Sequence, residues 1–409
     1  MSDGQQAQPL ETDRPTPFDP PAGLRRRAPL SRLAYPDGHL GWVATGYSVN
    51  RAILADPRFS TRRELLHQPV GRERAVERPT PAEPGIFPHM DPPEHTRYRR
   101  LLSRHFGPRR VAELTPTIRQ YTAQALRTMA DGGSPADLVA SFAMPIPALV
   151  ICELLGVPVA DRQRIQAATA VLNDLDSPAD QVIDAVRSIT GTVRGVLAGP
   201  SDSGLLAHAA ASGDLNDEEL TNLGMVLLAT GHLPTSSMLA LAAFVLLTDP
   251  DQRALLTADP ERAVEELLRY LSILQFDVRR TALVDVEIDG QVIAAGETVV
   301  LALPVANRDP DRFPDPDTLD VTRSATGHLA FGHGVHQCLG QHLARAELRV
   351  ALTALFEHLP GLRLAVPAAE VPTRSRMAVY GVDRLPVAWD VVPADRQKGV
   401  ADHALPDSG

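Results

Sequence analysis

Phe331-Gly332-His333-Gly334-Val335-His336-Gln337-Cys338-Leu339-Gly340 decides how the rest of this chain is read. Three glycines in ten residues permit positive φ and close backbone approach. The run Gln341-His342-Leu343-Ala344-Arg345-Ala346-Glu347-Leu348 behind them has helical character and continues to about Leu359. Cys338 therefore falls where unpaired helical N–H groups begin, and those donors together with the N-terminal dipole favour a thiolate. On these residues alone the competing reading is a buried structural cysteine in a Gly-rich turn.

Composition narrows the choice. The chain has 409 residues and 44% hydrophobic content, ample for a sizeable core. Cys152 and Cys338 are its only cysteines, too few for a disulfide framework, a zinc-thiolate cluster or covalent haem attachment. A reducing cytoplasm is expected. The start, MSDGQQAQPLETDRP, has neither a basic n-region nor an apolar h-region, so no signal peptide or N-terminal anchor is expected. A net charge of −10 argues against general nucleic-acid affinity, and Lys398 is the only lysine among forty basic residues. Residues 1–16 and 394–409 are expected to be disordered tails around a single domain spanning 17–393.

The pattern Phe-Gly-x-Gly-x-His-x-Cys-x-Gly resembles the haem-ligand loop of the cytochrome P450 family, with all six positions met by Phe331, Gly332, Gly334, His336, Cys338 and Gly340. The resemblance runs from about residue 18 to 390. It implies a mainly α fold with small β-sheets: a triangular helical domain with an N-terminal β-rich subdomain. It also implies haem b with Cys338 as axial thiolate ligand, and a separate ferredoxin and ferredoxin reductase as partners, since no dinucleotide fingerprint is present. Arg104, Arg109, Arg110 and Arg345 are candidates for the ferredoxin-docking surface.

Other stretches fit this frame. Leu30 to Tyr35 and Leu40 to Ala44 read as strands joined by Pro36-Asp37-Gly38. His95 and Arg99, four apart on one helix face, suit clamping a carboxylate, and Asp91 is a candidate cap for that helix. The resemblance assigns His95, Arg99, Arg280 and His336 to the haem propionates. Glu266 and Arg269 match the family's buried Glu-x-x-Arg pair, whose usual third, basic partner is here Thr318, with Arg323 a candidate substitute. In the family the loop from Arg62 to His89, the segment after Leu271 and a C-terminal turn border the substrate, making Leu65, Gln68, Ile86, Phe87, Ser272, Met377 and Ala378 candidate contacts.

Apolar sequence from Asn216-Asp217-Glu218-Glu219 to about Leu247 predicts one long central helix of roughly 45 Å. In the family this helix crosses the haem and carries Ala-Gly-x-acid-Thr beside the oxygen groove. Here the corresponding residues are Thr230-Gly231-His232-Leu233-Pro234, so Leu233 and Pro234 replace the acid and the alcohol. Thr235 comes one residue late, about 100° round the helix. Pro234 cannot donate to the Thr230 carbonyl, which predicts a local break. Loss of both relay groups points to radical C–C or C–N coupling of an aromatic natural product, such as a cyclic dipeptide. Conventional hydroxylation or epoxidation of a polyketide, peptide or terpenoid is the alternative, and a non-catalytic haem protein a third.

Overall fold

Helical periodicity dominates the chain, and the computed structural model, which describes residues 7–70, 80–173, 177–199, 204–374 and 377–390, is correspondingly helix-rich. The predicted hairpin forms: Leu30–Ala34 pairs antiparallel with Leu40–Ala44, Leu33 opposite Gly41, and Gly38 takes φ 86° in the turn. Thr298–Leu301 joins in parallel on the Leu40–Ala44 edge, followed by Arg279–Ala282 and then Phe59–Ser60, completing a five-stranded sheet. Arg280 is thereby fixed on a buried strand opposite Val299.

The expected long helix is two helices. Asp217–Thr230 begins with a capping box between Asn216 and Glu219, and Leu233–Thr248 restarts after Gly231 and His232. The break lies where Pro234 removes the N–H that would have met the Thr230 carbonyl. The 217–248 span is long and apolar enough to cross a membrane, yet 78% of its most apolar window is buried inside the fold.

That break sits on a seam. Leu220, Leu223, Val226, Leu227 and Leu228 belong to one apolar core, shared with Val150, Ile151 and Leu154. Met238 through Leu246 belong to another, shared with Leu267, Leu352 and Leu355. The helix behind the cysteine loop, Gln341–His358, straddles the same seam, with Leu343 and Ala346 in the first core and Leu348, Ala351 and Leu352 in the second. The cysteine loop adjoins one of the two helices that cross this boundary, and the break lies in the other.

Three expectations are corrected. Residues 7–16 are packed rather than disordered: the Gln8 carbonyl accepts from Ala34 N at 3.1 Å, and the Arg14 guanidinium lies 3.7 Å from the Tyr380 ring centroid. The tails 1–6 and 391–409 lie outside the described residues, as do 71–79 of the loop before His89. Asp91 does not cap the Glu94–Phe106 helix; its carboxylate accepts instead from Ser60 Oγ at 2.6 Å and Thr61 N at 2.9 Å. The helical sequence around Thr115 to Met129 predicts a helix there, and the helix is longer, from Pro108 to Gly132, starting directly after Gly107.

Glu347, on the seam-spanning helix, is 1% exposed and its Oε2 has no hydrogen-bond partner. Burial pushes its carboxyl up to about 8, so it stays protonated at neutral pH. A carboxyl whose folded pKa exceeds its unfolded value contributes stability that is lost as pH rises towards that folded pKa. Glu347→Gln removes the ionisation penalty. The variant should gain stability over the parent between about pH 5 and pH 8, reaching on the order of 3 kcal/mol, with a constant gap above. Urea denaturation across that range checks this, and a pH-independent gap refutes it.

Candidate functional site

The cysteine loop is shaped by its backbone. Gly332 and Gly334 take φ 70° and 74°, and a Cβ on Gly334 would lie 2.3 Å from the Leu54 carbonyl oxygen. Gly340 needs no such conformation, with φ −82°; its backbone N–H favours the ionised form of Cys338. Cys338 N donates to the Phe331 carbonyl at 2.9 Å, closing the loop so that the sulfur sits just before the first turn of Gln341–His358. Phe331 is held by Arg345, whose guanidinium lies 4.5 Å from its ring centroid. Arg345 in turn pairs with Glu265, which also accepts from or pairs with His328 at 3.1 Å. Arg345 thus braces the loop while part of its side chain stays exposed.

Cys338 carries accessible surface, yet the protein around it pushes its thiol pKa up, opposed by the Gly340 N–H, Arg99 and Arg345. A side chain with both properties faces a void inside the fold. Cys152, by contrast, is fully buried in the first core, where burial raises its pKa to about 12; it is inert packing.

On another side of this region four nitrogen-bearing side chains converge from three elements. His95 and His336 have ring centroids 4.0 Å apart, and Thr61 Oγ1 lies 3.3 Å from His336 Nε2. His95 is 2% exposed, with Nδ1 buried and without a partner among the described residues. Burial, then Arg99 and Arg280, lower its pKa to about 4; the His336 pKa is lowered by burial, then by Arg280, His95 and Arg99. Arg280 is buried deeply enough to bring its own pKa down to about 10. Asp91, the acid that opposes this shift, already accepts from Ser60 and Thr61.

Two guanidinium groups and two neutral imidazoles, enclosed with an orphaned nitrogen and no free carboxylate among the described residues, form half of an ionic site. Burying such charge is tolerable only with a partner, and the missing partner must be anionic and hydrogen-bond accepting. Paired propionates fit that requirement. The donor set and the thiol of Cys338 therefore suit haem b, with Arg forks matched to carboxylates.

At the helix break, Leu233 and Thr235 are buried while Pro234 is partly exposed. Gly231 is required by packing, since a Cβ there would come within 2.7 Å of the Ile151 side chain. His232 Nδ1 pairs with the Leu228 carbonyl at 3.0 Å, and burial lowers its pKa, so it is a neutral structural group. The hydroxyls of Thr230 and Ser236 donate to backbone carbonyls, and Ser237 accepts from Arg374. The Thr235 hydroxyl has no partner among the described residues, unlike these neighbours.

The candidate substrate contacts divide. Ser272 is spent internally: its hydroxyl donates to Arg269 O at 2.9 Å and accepts from Asn307 Nδ2 at 2.7 Å, at φ 33° beyond the helix end. Ile86 and Phe87 are buried in the first core with Tyr98 and Leu102, and Phe87 lies 6.2 Å from the His95 ring. Gln68 is exposed and Leu65 half-buried, its carbonyl accepting from Thr281. Met377 and Ala378 are half-buried, and their carbonyls accept from Gln275, a residue not singled out in the sequence.

Glu266 and Arg269 are wholly buried and joined by two 2.7 Å bonds. Arg323 Nε supplies the third member at 3.1 Å from Glu266, replacing the basic side chain absent at Thr318. Arg269 also donates to the carbonyls of Asn307 and Pro316, tying the helix Pro260–Leu271 to the segment before the cysteine loop.

A sequence profile described as Cytochrome P450 matches residues 260–364. Cytochrome P450 105C1 from Streptomyces sp is 47% identical over 390 residues, 93% of this chain and 98% of that protein. Pentalenic acid synthase from Streptomyces avermitilis is 42% identical, over 92% of this chain and 96% of its own length. The crystal structure of CYP105P1 in complex with filipin I superposes with a TM-score of 0.88 at 38% identity, covering 95% of this chain and all of that one. Fold and site together define a haem-thiolate oxidoreductase. The chain belongs to the cytochrome P450 family, carries haem b on a cysteine ligand, and oxidises a secondary metabolite.

Replacing Cys338 with Ala should abolish the thiolate signature in the reduced carbon-monoxide spectrum, while Cys152→Ala leaves it intact. Arg280→Ala should weaken haem retention about tenfold, the worth of one charge-assisted bond, and Arg104→Ala should not. Haem-to-protein ratios after gel filtration read the difference.

Proposed function

We propose that this protein inserts oxygen into a natural product, with Cys338 as the axial ligand and His95, Arg99, Arg280 and His336 as the propionate-binding set. The carrying observation is the enclosed cationic cluster lacking its anion beside an accessible, loop-held thiol. Haem b, when bound, supplies the redox chemistry that activates dioxygen. Insertion consumes two electrons and two protons: one oxygen atom enters a substrate bond and the other leaves as water.

What this chain must provide is the protons, without an acid or alcohol at 233 and 234. We assign their passage to water held at the helix break, where the Thr230 carbonyl has lost its Pro234 donor and the Thr235 hydroxyl is unpartnered. A ferredoxin, reduced by its own reductase, supplies the electrons in the cytoplasm. Its docking surface includes Arg104, Arg109 and Arg110; Arg109 is 95% exposed and only loosely paired with Glu113 at 3.4 Å.

A second reading rests on the Leu233-Pro234 replacement itself. Radical coupling through C–C or C–N bond formation on an aromatic substrate removes two hydrogen atoms and transfers no oxygen to it; dioxygen, two electrons and two protons are still consumed, both oxygen atoms leaving as water, with the protons delivered through water or from the substrate. Product mass separates the two: gain of one oxygen from labelled dioxygen supports insertion, and a coupled species lacking the label replaces it with coupling.

Under the insertion reading, Thr235→Ala should slow turnover about tenfold and divert electrons to peroxide, with substrate affinity unchanged. Unaltered coupling of electrons to product removes Thr235 from the proton path. Reversing both charges, Arg109→Glu with Arg110→Glu, should slow reduction by ferredoxin about tenfold and flatten its salt dependence, as expected for lost steering. Unchanged rates and salt slope would place docking elsewhere.

A further inference from the structure

The segment before residue 17 does something that the haem site does not account for. It is pinned at both ends: the Gln8 and Pro9 carbonyls accept from Ala34 N and Arg27, and Asp19 pairs with Arg308 at 3.4 Å. Between these anchors Arg14 turns inward. Its guanidinium stacks 3.7 Å from the Tyr380 ring centroid, Nε donates to Gln275 Oε1 at 3.1 Å, and Nη1 donates to Asp19 O at 3.3 Å.

Gln275 and Tyr380 belong to the two strands that the sequence places at the substrate pocket. Gln275 Nε2 donates to Met377 O at 2.7 Å, its backbone N donates to Ala378 O at 2.9 Å, and Tyr380 N donates to Ile273 O at 2.7 Å. A bridge between Leu274 and Val379 lies among them. The amide of Gln275 can donate to Met377 only if its oxygen faces the other way, and Arg14 supplies a charged donor there. Arg14 therefore fixes the amide orientation from outside the pocket while packing against the ring that closes the same turn.

We propose that Arg14 is a positioning residue that sets the shape of the substrate pocket by clamping Gln275 and Tyr380, and with them the Met377-Ala378 turn. The N-terminal segment thus acts as a specificity determinant without touching substrate. This rests on the reading that residues 273–276 and 377–378 border the pocket.

Binding of two haem-ligating probes to the purified holoenzyme tests it. Imidazole is too small to sense the pocket wall, and phenylimidazole is not. Arg14→Ala should weaken phenylimidazole about tenfold with imidazole affinity, haem content and the carbon-monoxide spectrum unchanged. Arg14→Lys, which keeps a cation but not the stacked fork, should recover part of the loss. Hydrogen exchange at the amides of Gln275 and Tyr380 should quicken in Arg14→Ala, a readout independent of haem ligation. Gln275→Glu keeps the Arg14 contact but cannot donate to Met377, so it should reproduce the selective loss even if Arg14→Ala folds poorly.

Ala378→Phe tests the pocket border separately. If it leaves phenylimidazole binding unchanged, the border reading fails and the proposal with it. If Ala378→Phe weakens the probe while Arg14→Ala and Gln275→Glu do not, Arg14 has no positioning role. Equal losses for both probes also overturn the proposal.

Discussion

Arg280 is the constraint on which the site depends. A guanidinium buried on the central sheet, with Asp91 already bonded to Ser60 and Thr61, is tolerable only where another anion meets it. His95, His336 and Arg99 crowd the same place; Arg99 and Arg280 lower the proton affinity of both imidazoles, and His95 lowers that of His336. The neutral imidazoles that result remain hydrogen-bond donors through one ring nitrogen, which is what a carboxylate needs from them without adding further repulsion to the cluster. The charges gathered here are those that would hold the cofactor's carboxylates.

Placement of this cluster follows from larger features. Two apolar cores meet along a seam crossed by the broken central helix and by Gln341–His358. Cys338 lies just before the start of one of these helices, and the break interrupts the other. The Glu266–Arg269–Arg323 network holds the intervening segments in register, and the full burial of Glu266 and Arg269 means that loss of either charge strands the other. Arg345 adds a second brace by joining Glu265 to the Phe331 ring.

Local chemistry was legible in the sequence. Strand alternation gave the hairpin, Pro234 gave the break, and the Phe331–Gly340 spacing gave the thiolate loop, because each depends on residues adjacent in the chain. The commitment of the Ser272 hydroxyl to Asn307, 35 residues away, is not visible in the sequence. Asp91 was taken for a cap because Asp before a helix usually is one, but the end of a strand 31 residues earlier competes for its oxygens. The roles of Gln275 and Arg14 were invisible for the same reason, being separated by 261 positions. Low apolar content suggested disorder for residues 7–16, whereas burial of one arginine against a ring anchors the segment.

The helix break shows how one substitution can change two properties. Proline at 234 removes both an alcohol and a backbone N–H, and the second loss opens a carbonyl that a water can use. Leu233 removes charge from the same place, so any water there is held by a carbonyl and the Thr235 hydroxyl rather than by a carboxylate. On the proposed route such a site would pass protons without storing one, since neither group titrates near neutral pH. Proton supply would then be set by how readily water reaches the break, which makes the fit of the substrate over it part of the chemistry.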